Sequence, residues 1–396
     1  MRIASIESFV LRTKLDRPFR FSQWSYSVRA TTLVCVRTVD GCEGWGEAYG
    51  PPEVAKAAID TFFTPLLLGR DIRERESLWH LMFARSVDYG QKGIMIAAIS
   101  AIDIALWDIA ARAAELPLYR FLGAAEQTSI PCYATGFYFT SEKVDEIAKS
   151  FADEAACLVD RGFRAVKLKI GLGVENDLRL IKAVRDAVPK STRVMMDANH
   201  AYNSTTAIHV GRRAEEHDIS WFEEPVSPLD VEGYRAVRRE ISIPVAGGEC
   251  EYTRFGFASL FQAQCLDFAQ PDLCACGGIT EALKIATLAS LRSVHVTPHA
   301  WGTSIGQAAA LHFYAAQINN PATLVPEEKW IECDQSENRL RDEIVRDPIR
   351  LENGCWVLPQ TPGLGVEVER SRFAKFTDRA SGNGTETRKI YTNSVS

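Results

Sequence analysis

Two hydrophobic periods run along this chain, and the place where one gives way to the other divides it. Residues 3–11 and 30–38 alternate apolar and polar positions as half-buried strands do, and residues 41–47 (GCEGWGE) read as a turn into a third strand. Between the first two, residues 17–27 (RPFRFSQWSYS) are aromatic without a clear period, as in a lid loop over a ligand or an ordinary surface loop. From residue 52 to 123 the period becomes helical. Ile94, Ala97, Ala98, Ala101, Ile102, Ala105 and Ile109 recur at three- and four-residue steps and form one apolar face, whose alanines allow a close neighbour. Pro117 interrupts the pattern and Gly123 ends it. Three strands followed by helices predict an α+β domain over residues 1–124.

After a link at 124–128 the pattern changes again. Strand-like runs at 129–136, 165–170, 193–199, 219–225, 244–249, 265–272, 293–299 and 329–334 alternate with amphipathic helices at 142–161, 175–187, 204–216, 229–240, 253–262, 280–291 and 304–316. Seven of the eight runs carry polar residues near their C-terminal ends, and subtraction of residue numbers from Lys169 to Glu332 gives steps of about 23 to 33 residues. That spacing fits one strand, one helix and two loops, so residues 125–345 predict a (β/α)8-type barrel. Residues 346–374 hold two strand-like stretches, 354–359 and 365–369, expected to return to the first domain. Residues 375–396 are polar and expected to be a disordered tail.

In such a barrel the polar strand ends converge on one mouth. Lys167 and Lys169 are two apart and share one face of their strand. Alone they fit an exposed edge strand; at a barrel mouth they fit a site that binds a carboxylate and needs an amine of low pKa. Asp197, Glu223 and Glu249 follow on consecutive strands. Three converging carboxylates do not all stay ionised without a cation, and an all-oxygen donor set suits Mg²⁺ over zinc. His299 ends the seventh strand and Asp272 the sixth, so the carboxylate is placed to fix one imidazole tautomer. Lys169 and His299 then stand on opposite sides of the mouth as two acid/base groups, and Asn199 and His200 add polar contacts for a hydroxylated substrate.

Composition removes several other classes. The 396 residues are 46% hydrophobic and 24% charged with a net charge of −6, which leaves no basic field for nucleic acid. No apolar run is expected to reach the length of a membrane span, and the N-terminus lacks a signal-peptide pattern. Ten scattered cysteines suggest reduced thiols in a cytoplasmic protein, and Cys274 and Cys276 lack the second pair a zinc site needs.

The motifs K-L-K, M-D-A-N, F-E-E-P, G-G-E, Q-P-D and T-P-H, with A-L-W-D-I-A before them and P-G-L-G-V-E after, resemble the motif series of the enolase superfamily in its mandelate-racemase-like branch. The resemblance implies a modified (β/α)7β barrel of TIM type, with an α+β capping domain built from both chain ends, and a homo-oligomer. It implies Mg²⁺ on Asp197, Glu223 and Glu249, Lys169 as a base, Lys167 neutralising the carboxylate of a small-molecule substrate, and His299 with Asp272 as the opposite base or acid. Glu332, with Glu327 and Glu328 as rivals, would hydrogen-bond the enolate. The likeness within the branch is to cycloisomerases and acid-sugar dehydratases. The expected reaction is removal of the proton α to a carboxylate, then β-elimination on a sugar acid, sugar diacid or its lactone. Two-base racemisation or epimerisation of a 2-hydroxy acid, and a non-catalytic binding protein that keeps the fold, are the alternatives.

Overall fold

The structure, a computed structural model, describes residues 1–318, 323–325 and 328–377. Its first sheet has three antiparallel strands, Ile3–Arg20, Ser25–Thr38 and Glu43–Ala48, in chain order. The helix Ile94–Ala113 lies against it. A Cβ on Gly46 would stand 1.8 Å from the Ala101 carbonyl oxygen, and one on Gly44 would stand 2.3 Å from that of Ala105. Glycine on the strand and alanine on the helix therefore permit the close approach that the alanine face implied. This helix corrects one expectation. Its 20 residues are long and apolar enough to cross a membrane, but 83% of the most apolar stretch is buried inside the protein. Its polar Asp103 and Asp108 bond other segments of the chain.

A second correction concerns residues 17–27. The first two strands are 18 and 14 residues long, and they pair as far as Arg20 opposite Ser25. The aromatic stretch is the end of a long β-hairpin, closed by a turn in which Phe21 N donates to Trp24 O. The hairpin overhangs its sheet and packs on one side, with Phe19 buried while Pro18, Gln23, Trp24, Ser25 and Ser27 are exposed, and the turn at its tip interrupts the alternation. Phe19 lies against Tyr138 with the rings tilted by 36° and their centroids 4.2 Å apart, and Tyr26 lies 5.0 Å from Trp301.

The barrel follows the strand order read from the sequence. Ser129–Thr135, Ala165–Lys169, Arg193–Asp197, Ile219–Glu223, Val245–Gly247, Phe268–Ala269 and His295–Val296 pair in parallel, each with the next. The eighth strand, Ile331–Asp334, pairs in parallel with the first. Thr297 Oγ1 donating to Trp330 O joins the seventh strand end to the start of the eighth. A helix of 10 to 17 residues follows each of the first seven strands. Among the described residues the eighth is followed by no helix of that length, only the five-residue α-helix Arg339–Glu343 and a 3-10 turn at Arg370–Lys375, so the fold is the modified (β/α)7β form. Tyr133, Ala165, Met195, Trp221, Ala246 and Trp330 fill the barrel interior and form the floor below the mouth.

The returning segment differs from expectation. Cys355–Val357 pairs antiparallel with the first barrel strand, not with the cap. Residues 365–369 carry only the isolated bridge of Val368 to Val345. The cap is met first at residues 363–366, as expected, where Leu118 N donates to Gly363 O, Leu364 N to Asp108 Oδ1 and Arg112 Nη2 to Val366 O, and again where Phe373 packs on Phe9 at 5.3 Å and Arg12 N donates to Phe376 O. Most of the expected tail, residues 378–396, and Glu327 lie outside the described residues.

Candidate active site

Strand register places the charged residues. Lys169 lies opposite Asp197, Asp197 opposite Glu223, and Glu223 opposite Ala246. Glu249 is three residues past that last partner, in a turn that Gly248 enters at φ +123°. The carboxylate oxygens of Asp197, Glu223 and Glu249 come within 4.8 Å of one another, a group able to hold a metal ion. All donors are oxygen, which fits a hard divalent cation.

Both lysines are buried, at 1% and 7% exposure, so the exposed-edge reading fails. Lys167 Nζ sits 2.5 Å from Glu223 Oε1 and 3.0 Å from Glu332 Oε1. Lys169 Nζ sits 2.5 Å from Asp197 Oδ2. Their ammonium groups thus stand where cationic charge is wanted. Burial pushes both lysines down, but the neighbouring carboxylates, Glu223 on Lys167 and Asp197 on Lys169, outweigh it and raise both. An amine of low pKa is therefore not what this state holds. Burial likewise pushes Asp197 up, and Lys169 with Lys167 brings it below its ordinary value. Burial dominates at Glu223, which rises to about 7 although Trp221 Nε1 and Gln270 Nε2 donate to it.

Glu332 accepts from Thr135 Oγ1 at 2.6 Å and Ala300 N at 2.8 Å, besides its ion pair with Lys167. Burial pushes its carboxyl up, but Lys167, His299 and these donors hold it well below the usual range. It is an ionised acceptor, not a proton-bearing acid. Across the mouth, His299 Nδ1 is 2.7 Å from Asp272 Oδ2, and Asp272 Oδ1 accepts from Cys274 N at 2.6 Å. His299 Nε2 lies 3.5 Å from Glu249 Oε2. Burial pushes the imidazole down, yet Glu249, Glu332 and Asp272 lift it to about 10.

Asn199 and His200 are brought beside the cluster in another way. Asn199 N donates to Asp197 Oδ1, and Asn199 and His200 adopt left-handed backbone, at φ 42° and 64°. The His200 ring faces Glu224, with Nδ1 3.2 Å from Oε2, and lies 3.8 Å from Cys250 Sγ. Neither Asn199 nor His200 lines the main cavity. Glu224, a strand-end charge in the sequence to which no role was assigned, is a site neighbour: it is 1% exposed, with one oxygen unpartnered. The doublet after Phe222 was its only signal.

A cavity of about 560 Å³ opens between cap and barrel, with His299 and Asp272 on one wall and Trp24, Tyr26 and Tyr49 on another. The hairpin tip shapes it by docking on a barrel strand end, where Ser22 Oγ donates to Ala198 O at 2.7 Å and Gln23 Nε2 to Asn199 O at 2.9 Å.

Comparison with known proteins bears on the family and the fold. The mandelate racemase/muconate lactonizing enzyme N-terminal domain model matches residues 5–123, and the enolase C-terminal domain-like model matches residues 150–372. D-galactarolactone cycloisomerase of Agrobacterium fabrum is 41% identical over 95% of this chain and 99% of its own length. The crystal structure of 3,6-anhydro-D-galactonate cycloisomerase from Zobellia galactanivorans is similar with a TM-score of 0.86 and 44% identity, covering 96% of this chain and all of that one. L-talarate/galactarate dehydratase of Salmonella typhimurium is 31% identical over 86% of this chain and 80% of its own length. A structure of L-talarate/galactarate dehydratase liganded with Mg and L-glucarate has a TM-score of 0.83 and 27% identity, covering 95% and 92%. With both domain models matched and a relative of this identity aligned almost end to end, the chain belongs to the mandelate racemase/muconate lactonizing enzyme family of the enolase superfamily.

Proposed function

We propose that the protein removes the proton α to the carboxylate of a sugar acid, sugar diacid or sugar-acid lactone and then expels the oxygen on the β-carbon. The observation that carries this reading is the approach of two acid/base groups to one carboxylate cluster from opposite ends: Lys169 on Asp197, and His299 on Glu249. Mg²⁺ held by Asp197, Glu223 and Glu249 supplies a Lewis acid for the substrate's carboxylate when bound. Lys169 is the base on one face in its unprotonated form, which it would reach once a cation on Asp197 relieved the ion pair that now holds its proton. His299 serves the other, with Asp272 fixing the Nδ1–H tautomer so that Nε2 faces the substrate. An imidazole lifted to about 10 is protonated near neutrality, which suits it to protonate a departing oxygen. Lys167 neutralises the substrate carboxylate, and Glu332 keeps Lys167 and the Ala300 backbone in place. The sugar-acid chemistry of the relatives supports the elimination.

Incubation with sugar acids and lactones in deuterated water, followed by NMR, tests the reading. The expected product is a 3-deoxy-2-oxo acid carrying deuterium at C3, with turnover lost on chelation. Lys169→Ala and His299→Asn should each reduce turnover by about 10²–10⁴-fold. Inverted, α-deuterated starting material with no 2-oxo product would instead assign a racemase, and full activity in metal-free buffer would remove the magnesium.

A further inference from the structure

The three strand ends that carry Asp197, Glu223 and Glu249 carry a second group just beyond them. His200 follows the third barrel strand, Glu224 the fourth and Cys250 the fifth. A ring nitrogen, a carboxylate oxygen and the thiol sulfur of these residues lie within 4.8 Å of one another. The polar atoms here are poorly satisfied. Among the described residues, Glu224 Oε1, Asn199 Oδ1 and His200 Nδ1 are buried without a hydrogen-bond partner. Glu224 and Asn199 are only 1% and 4% exposed. His200 Nδ1 comes within 3.2 Å of Glu224 Oε2, yet off the line that a hydrogen bond needs. Other contacts in the group are long: 3.5 Å from Asn199 Nδ2 to Glu224 Oε2, and 3.8 Å from His200 Nε2 to Cys250 Sγ. Buried polar atoms are nearly always paired, so orphans gathered at one point call for a water or an ion.

The donor set chooses between them. One sulfur, one imidazole nitrogen and one carboxylate oxygen are a ligand set for a borderline divalent cation such as Zn²⁺. A hard Mg²⁺ ion prefers the all-oxygen triplet alongside. We infer that His200, Glu224 and Cys250 form a second cation site, selective for Zn²⁺ over Mg²⁺ and separate from the Asp197, Glu223 and Glu249 triplet. Bonds of about 2.0–2.3 Å in a tetrahedron place donors roughly 3.3–3.8 Å apart, so small side-chain shifts close the group on the ion. On binding, the Cys250 S–H bond breaks, the sulfur lone pair binds the metal and the proton leaves to solvent, with no change of oxidation state. The fourth position is open to water, because the His200 side chain is 19% exposed. The site needs nothing from the elimination chemistry, so either can fail alone.

The test titrates the full-length, reduced protein, already saturated with Mg²⁺, with Co²⁺ and then Zn²⁺. One equivalent of Co²⁺ should give the near-ultraviolet charge-transfer absorption of a cobalt–thiolate bond, which one equivalent of Zn²⁺ abolishes. Cobalt that displaces Mg²⁺ from the oxygen triplet gives no such band. Cys250→Ser and His200→Gln, changed on different strands, should each weaken the one-equivalent binding by at least about 100-fold and remove the band. Glu249→Gln, which damages the triplet, should keep it. In the unaltered protein Zn²⁺ should also slow alkylation of Cys250 by at least about 10-fold and leave the exposed Cys157 unaffected. A band that survives Cys250→Ser, no band at one equivalent, or alkylation of Cys250 indifferent to Zn²⁺ would overturn the site and leave water as the partner of the orphan atoms.

Discussion

His299 shows how far a single side chain's chemistry depends on what surrounds it. A histidine at a strand end is ordinarily neutral near pH 7. Here burial is outweighed by Glu249, Glu332 and Asp272, and the imidazole is lifted to about 10. A divalent cation on the acid cluster engages Glu249 and removes part of that stabilisation, so the imidazole should become more acidic and loading should release protons. Histidine NMR on chelated protein should show a resonance, absent in His299→Asn, that titrates near 10 and moves to lower pH as Mg²⁺ is added. A titration indifferent to Mg²⁺ would place the cation elsewhere. Lys167, Lys169, Asp197, Glu223, Glu249, Asp272, His299 and Glu332 were all legible as candidates, because barrel strand ends repeat at regular sequence intervals. Their protonation states were not legible. Those depend on which carboxylate meets which ammonium across the mouth, and a residue spacing does not contain that.

The hairpin formed by Ile3–Arg20 and Ser25–Thr38 is the element that sequence reading described least well. Its tip lacks a clear alternation because a turn interrupts it and aromatic residues sit at exposed positions such as Trp24 as well as at buried ones such as Phe19. Its position rests on a barrel loop that has no room for a side chain. Gly171 has φ +120°, and a Cβ there would lie 2.5 Å from Ser22 Cβ and 2.9 Å from Ala201 Cβ. Gly171→Ala should therefore strain the loop by about 1–3 kcal/mol and lift the tip from the Ala198 and Asn199 carbonyls. The expected result is faster amide hydrogen exchange at residues 21–24 and a raised KM. Ser22→Ala, which removes the hydroxyl and leaves the backbone free to stay, should give a weaker version of both. Unchanged exchange at the tip in Gly171→Ala would show that Gly171 does not govern docking. Core barrel strands were easier to read than this hairpin, since burial on both faces still leaves them flanked by helices at a fixed period.

At the scale of the whole molecule, buried polar groups join cap and barrel across separations that no local pattern reports. Glu47 accepts from Thr303 N and Gly306 N at the start of the helix Ser304–Ala315, 256 and 259 residues away in sequence. Asp103 accepts from Thr280 N and Oγ1 near the start of Gly278–Ser290. Each carboxylate satisfies amide groups that a helix start leaves without partners. His312 does the converse with a neutral ring: Nδ1 accepts from Tyr119 N, and Nε2 donates to Leu364 O. These contacts give opposing pH dependences. Burial lowers His312 to about 4 from 6.5, so the unfolded chain binds the extra proton between those values and stability rises with pH across that window. Burial raises Asp103 to about 7 from 3.8, so the folded chain holds the extra proton and stability falls as pH rises from 3.8 to 7. Each effect is about 3–4 kcal/mol at most, and between pH 4 and 6.5 they largely cancel. His312→Gln should therefore expose the Asp103 slope, with Tm declining from pH 4 to 7. Asp103→Asn should expose the His312 slope, with Tm climbing from pH 4 to 6.5. Both variants are expected to lose overall stability, so the slope is the quantity to read. Two profiles parallel to that of the unaltered protein would show that neither group keeps its shifted proton affinity in the folded chain.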